Sequence, residues 1–200
     1  MPTLYYVADP MCSWCWGFTP TIEALRAEDR CSLHYVMGGL ACDSDEPMPT
    51  DMRDYVQDAW REVAQRTGAS FNWDFWSQCQ PRRSTYSACR AVLAAGDLGP
   101  HMFHRIQRAY YLEARNPSDV TVLVELAADL GMDSARFVAA LASCEIEAAL
   151  QDQFRLRRRL QATAFPSLLL ELRGIYRWIN RGWENGEVVL TRFEELIAEK

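Results

Sequence analysis

Two hundred residues, 49% hydrophobic and 24% charged, describe one ordinary domain, or one carrying a sizeable insertion, that can build a core without disulfide staples. A net charge of −6 and a pI near 5.1 argue against a nucleic-acid partner. No apolar run approaches the roughly 20 residues that cross a bilayer, and the opening Met1-Pro2-Thr3-Leu4-Tyr5-Tyr6-Val7 lacks the basic and long apolar stretches of a signal peptide, so the expectation is a cytoplasmic protein with no membrane partner.

Thr3 to Ala8 is short and rich in Tyr and Val, which predicts a buried strand ended by Asp9-Pro10. Cys12-Ser13-Trp14-Cys15 follows at once. A helix is expected from about Thr21 to Ala27, with Pro20 at its start or at a kink. Cys31 to Met37 alternates as a second strand up to Gly38-Gly39. The opening is therefore a βαβ unit.

Asp43 to Pro49 is polar and reads as a connection. Helical spacing then predicts helices from Asp51 to Gly68, from Ser84 (as cap) to Ala95, from His101 to Ala114, and from the cap Asp119 to Leu130. Asp133-Ser134 opens another, and Glu145 to Leu160 forms the last of the block. Phe71 to Arg83, with Trp73, Phe75, Trp76 and Pro81, is aromatic and irregular, a loop over the core or part of a substrate groove. After Phe165-Pro166, Ser167 to Leu172 is a buried strand, Arg173-Gly174 a tight turn and Ile175 to Ile179 its hairpin partner. Leu190 to Glu199 closes the chain as an amphipathic helix with Thr191 as its cap. The two outer pieces have too few strands to stand alone and must share one sheet. Residues 1–42 and 161–200 are thus expected to form an α/β domain, and residues 43–160 an all-α insertion.

Seven cysteines, at positions 12, 15, 31, 42, 79, 89 and 144, cannot all pair within one chain. Five are scattered and read as small buried hydrophobes. Cys12 and Cys15 are different. Two residues apart at a helix start, they can close a disulfide, and the helix dipole favours a thiolate on the first sulfur. Cys12 is the expected exposed nucleophile and Cys15 the more buried thiol that resolves the mixed disulfide. Met11, Ser13, Trp14 and Trp16 are the expected substrate surface around them, the Met and Trp side chains offering soft apolar contact. A zinc site would need a second ligand pair, and His34, His101 and His104 lie apart from the motif, so no metal is expected. Pro166 can be an edge-strand residue or a cis-proline held against the Cys pair, with Phe165 before it. The basic run Arg155-Leu156-Arg157-Arg158-Arg159 is simplest as a solvated helix end, though it leads towards Phe165-Pro166.

Asp9-Pro10-Met11-Cys12-Ser13-Trp14-Cys15-Trp16-Gly17-Phe18, the helical block, and Phe165-Pro166-Ser167-Leu168 resemble the DsbA-like thioredoxin-fold family. Within it, the chain is most similar to the branch of cytosolic disulfide isomerases related to FrnE, as are Ala88-Cys89-Arg90-Ala91-Val92-Leu93-Ala94-Ala95 and Arg181-Gly182-Trp183. The resemblance implies a thioredoxin fold with a helical insertion and thiol–disulfide oxidoreductase activity, as a protein disulfide isomerase or reductase. It gives Cys12 and Cys15 the redox roles and Pro166 the cis-proline role. It implies protein or peptide thiols and disulfides as partners, no bound cofactor, glutathione as a candidate redox partner, and a monomer or homodimer. Two positions depart from the pattern. Tyr6 stands where relatives often place a buried acid, and Ser13-Trp14 replaces their inner dipeptides. Two other readings stay open: a glutathione-binding kappa-type transferase or isomerase, whose relatives typically carry Ser at the nucleophile position, and a non-catalytic redox-responsive binding protein.

Overall fold

Burial along the strands decides their order in the sheet. The computed structural model, which describes residues 1–198, has β1 (Thr3–Ala8), β2 (Ser32–Met37), β3 (Ser167–Leu172) and β4 (Ile175–Arg181) in the order β2-β1-β3-β4. The near-continuous apolar runs of β1 and β3 occupy the centre, as strands covered on both faces must. The half-exposed β2 and β4 form the edges. β1 pairs in parallel with β2, from Thr3 opposite Ser32 to Ala8 opposite Met37, and antiparallel with β3. The parallel pair needs a crossover. It consists of α1 (Ser13–Gly17) and α2 (Thr19–Arg26), and Pro20 falls in the first turn of α2, where a missing N–H costs nothing. Arg173 and Gly174 turn the β3–β4 hairpin with φ of 52° and 81°, the two positive values of a type I′ turn. This βαβ unit completed by ββα is the expected α/β thioredoxin fold.

Between β2 and β3 the chain runs through α3 (Thr50–Thr67), α4 (Phe75–Gln78), α5 (Tyr86–Ala94), α6 (Gly99–Leu112), α7 (Val120–Asp129), α8 (Ser134–Leu141) and α9 (Cys144–Arg159), and α10 (Gly186–Ala198) ends the described residues. Side-chain alternation along β1 splits the core. Leu4, Tyr6 and Ala8 join a cluster that extends through Trp60 and Ile106 to Leu123 and Phe137, whereas Val7 packs with Val36, Leu160 and Leu169 on the other face. The helical block thus shares the core of the sheet. The irregular aromatic segment wraps Trp60, which touches the rings of Phe71, Trp73, Phe75 and Trp76 at 5.0–5.8 Å. No helix among the described residues is long and apolar enough to cross a membrane.

Several expected caps are corrected. Ser84 and Asp119 do not cap α5 and α7 through their side chains. The Ser84 hydroxyl accepts from Ser44 N–H (3.3 Å) and the Asp119 carboxylate pairs with Arg82. Asp51 lies in the first turn of α3, behind Pro49. α10 begins at Gly186, earlier than expected, because Asn185 Oδ1 accepts from Glu187 N–H at 2.9 Å; Thr191 lies inside the helix. Glu199 lies outside the described residues. Asp133 does cap α8, accepting from Arg136 N–H at 2.8 Å.

Candidate functional site

Cys12 is the N-cap of α1, and its N–H donates to the Asp9 carbonyl at 3.0 Å. Both Cys12 and Cys15 are free thiols. Cys12 is 7% exposed and Cys15 is 0% exposed, so the first sulfur is reachable from solvent only through a narrow opening and the second not at all. The expectation of an openly exposed Cys12 is corrected by the segment above it. The Phe165 carbonyl accepts from the Cys12 thiol at 3.9 Å, and the Phe165–Pro166 peptide is cis. Burial, followed by the neighbouring Cys12, pushes the Cys15 thiol well above the usual thiol range. Tyr6 is buried beneath Cys15, and burial and the two thiols push its hydroxyl up as well.

The loop bearing Phe165 is held from below. Ser167 Oγ donates to the Ala164 carbonyl (2.7 Å) and accepts from Gly182 N–H (3.3 Å). Buried Asn180 donates to the carbonyls of Pro166 (3.1 Å) and Gly182 (2.7 Å). From the side, the Phe165 ring packs on the backbone of Gly38, and the Arg157 guanidinium lies 5.8 Å from its centre while donating to the Gly38 carbonyl. Arg157 is the member of the basic run that touches this segment; Arg155 pairs with Asp152 near solvent.

Cys12 opens into a groove of about 240 Å³ whose walls include Met11, Ser13, Trp14, Met48, Tyr55, Val56, Arg82, Arg83, Thr85, Thr163, Ala164 and Phe165. No acidic side chain lines it. Arg82 is tied to Asp119 and to the Ser118 carbonyl (2.7 Å). At the rim, Trp14 and Trp183 lie 5.4 Å apart and Arg66 stands over both rings. The groove therefore brings together Met11, Cys12, Ser13, Trp14 and Phe165. Pro166 is buried behind Phe165. Trp16 is not in the groove wall: its ring stacks on Tyr111 at 5.6 Å and its Nε1–H donates to the Ser70 carbonyl at 3.0 Å. One helical residue separates Trp14 from Trp16, and that rotation sends them to different sides.

Sequence reasoning passed over Asp9, Thr85, Asn180 and the two groove arginines. Asp9 read as a strand breaker, and Asn180 fell just beyond the expected hairpin strand, which the structure extends to Arg181. The signal for Asn180 was a polar residue at the apolar end of a strand. Of the other cysteines, Cys31 (6%) and Cys89 (0%) are buried as expected, but Cys42 and Cys144 are exposed. The three histidines are dispersed, His34 edge-on to Tyr5 and His104 near Trp16. No group of three or more metal-ligating side chains occurs among the described residues.

Comparison with known proteins places these features in a family. Residues 3–181 match the family model of the DSBA-like thioredoxin domain. The fold is similar to a candidate protein disulfide isomerase from Nitrosomonas europaea, with a TM-score of 0.87 and 28% identity over 99% of this chain and 98% of that one. It is also similar to the cytosolic disulfide reductase DsbM from Pseudomonas aeruginosa, with a TM-score of 0.82 and 30% identity over 99% of this chain and 100% of that one. The ClpXP adapter protein SpxH of Bacillus subtilis is 26% identical over 171 residues, 82% of this chain. The chain spans little more than half (56%) of that relative's length.

Proposed function

Since the chain belongs to the DSBA-like thioredoxin domain family, we propose that it is a cytosolic thiol–disulfide oxidoreductase that reduces or isomerises disulfides of peptides and proteins, with glutathione as its redox partner. The observation that carries this reading is the placement of two unequal thiols. Cys12 meets the groove beneath the Phe165 carbonyl, and Cys15 is sealed behind it. The Cys12 thiolate attacks a disulfide RS–SR′, forms Cys12–S–S–R and expels R′S⁻. Cys15 then attacks the Cys12 sulfur, expels RS⁻ and leaves the Cys12–Cys15 disulfide. Two glutathione thiols return that disulfide to the dithiol and become glutathione disulfide. In isomerisation the expelled thiolate of the same substrate attacks elsewhere, and no net electrons move.

Thr163, Ala164 and Phe165 in the groove wall, with soft side chains from Met11, Met48 and Trp14, suit an extended peptide. Arg82 and Arg83 in a groove without acids suit the carboxylates of glutathione, and the similar DsbM is known in a structure with GSH. The test is glutathione-dependent reduction of insulin. Cys12→Ser should abolish turnover, while Cys15→Ser should accumulate a Cys12 mixed disulfide visible by mass spectrometry. Full activity in Cys12→Ser would sink the catalytic reading.

Similarity to SpxH favours a second reading, a binding protein whose dithiol switches its surface. It predicts a wild-type protein with no turnover and a partner affinity that changes between the dithiol and disulfide forms. A stable non-covalent glutathione complex with no thiol exchange would instead favour a kappa-type transferase.

A further inference from the structure

The surroundings of Cys12 differ in charge from the rest of the molecule. The chain carries a net charge of −6, yet no acidic side chain lines the groove that Cys12 meets. A second cleft, of about 480 Å³, shares Leu40, Thr163 and Phe165 with that groove. Arg157, Arg158 and Gln161 also line it, again without an acid. Phe165, which covers Cys12, therefore stands between two basic clefts.

Several nearby arginines already have carboxylate partners. Arg66 at the rim pairs with Glu62 (3.1 Å), Arg155 with Asp152, and Arg82 in the groove with Asp119. Arg83, Arg157 and Arg158 form no ion pair among the described residues, and all three line the two clefts. A helix dipole favours cations at the end of α9, where Arg157, Arg158 and Arg159 form the last turn. That effect does not explain where Arg157 points. Its half-buried guanidinium crosses to the Gly38 carbonyl and lies 5.8 Å from the centre of the Phe165 ring. Nor does it explain Arg83, which is half-buried and stands two residues before Thr85, the N-cap of α5. At that end the dipole disfavours a cation. A half-buried guanidinium without a counter-ion, in a groove without acids, suits an anion from outside the chain.

We propose that the site selects disulfides set in acidic sequence. A carboxylate on one side of the reacting cysteine pairs with Arg83 in the groove, and one on the other side, carried past Phe165, pairs with Arg158 beside Arg157 in the second cleft. This names a substrate class for the oxidoreductase reading above and rests on it. A guanidinium offers a carboxylate two parallel N–H···O bonds. Clefts lined by one sign of charge also focus the field and speed encounter with the opposite sign. An acidic segment meets no like charge in either wall, whereas a basic segment meets only repulsion.

The test uses the full chain with Cys42→Ser and Cys144→Ser, so that the two exposed thiols stay silent. Short peptides, each with one central cysteine held as a mixed disulfide with thionitrobenzoate, are added in a stopped-flow instrument. The Cys12 thiolate attacks the peptide sulfur, forms Cys12–S–S–peptide and expels coloured thionitrobenzoate. The phase that Cys12→Ser removes is the one compared. A peptide with Glu on both sides of the cysteine should react about tenfold faster than its Gln counterpart, and the Lys counterpart should be slower still. Two further peptides carry a single Glu, one before and one after the cysteine. Arg83→Gln should remove the advantage of one of them and Arg158→Gln that of the other, about threefold each. Arg155→Gln, on the same helix as Arg158 but outside both clefts, should remove neither. The Gln peptide measured on each variant is the reference, so a general loss of rate cancels in the ratio. Equal rates for the Glu, Gln and Lys peptides overturn the proposal. So does an equal weakening of both single-Glu peptides by all three variants, which diffuse attraction would produce. Absence of any Cys12-dependent release overturns the oxidoreductase reading instead.

Discussion

Gly38 sits where the exit of β2 meets the site, and a Cβ built there would stand 2.7–2.9 Å from the Phe165 ring. The ring has little room to retreat, because Arg157 covers it. Gly38→Ala should therefore cost about 1–3 kcal/mol in urea unfolding, the usual scale of overpacking, and should slow insulin reduction by displacing Phe165. A variant of wild-type stability and rate would show that the segment is soft. Asp9 makes a pH prediction with a definite sign. Its folded pKa is raised by burial, so its stabilising contribution is complete below the unfolded value and is lost as pH rises through the folded one. Unfolding curves taken between about pH 4 and about pH 7 should show wild-type stability falling relative to Asp9→Asn; parallel curves would contradict this. Thiol accessibility gives a third expectation. Native alkylation mapped by mass spectrometry should modify Cys42 and Cys144 and spare Cys15 and Cys89, which are 0% exposed and pushed well above the usual thiol range. At this scale the sequence exposed the dithiol and Phe165-Pro166, because their spacing and position carry the chemistry locally. Asp9 and Thr85 escaped notice because their meaning comes from each other, 76 positions apart.

Among the elements, the strands were the most legible, since central and edge strands bury different patterns of side chains. Helix starts were less so. Ser84 and Thr85 look like caps, but their hydroxyls serve the loop after β2 and the Asp9 carboxylate, so tertiary demand overrides local preference. The aromatic stretch after α3 was opaque for a related reason. Its periodicity is broken because the side chains gather on a single ring, Trp60. Trp60 is 0% exposed, also touches Tyr110 and Tyr111, and lines the groove. Trp60→Ala should destabilise by about 3–5 kcal/mol in urea unfolding. A loss well below that range would mean that the surrounding rings collapse into the space.

For the whole molecule, the order β2-β1-β3-β4 makes the two ends of the chain interdependent. β1 is central only when β3 lies beside it. A chain ending at residue 160 should therefore show no cooperative unfolding transition by circular dichroism, and a sharp transition would mean that β1 and β2 suffice with the helices. The same order bears on synthesis. Cys12 and Cys15 leave the ribosome long before Phe165, and at about 5–20 residues per second the delay is roughly 8–30 s. Throughout that interval the nascent chain carries a vicinal dithiol with no roof over it and a β1 edge with no neighbour. The dithiol is thus bare during synthesis and covered afterwards, and a mixed disulfide trapped in that interval would block the docking of β3.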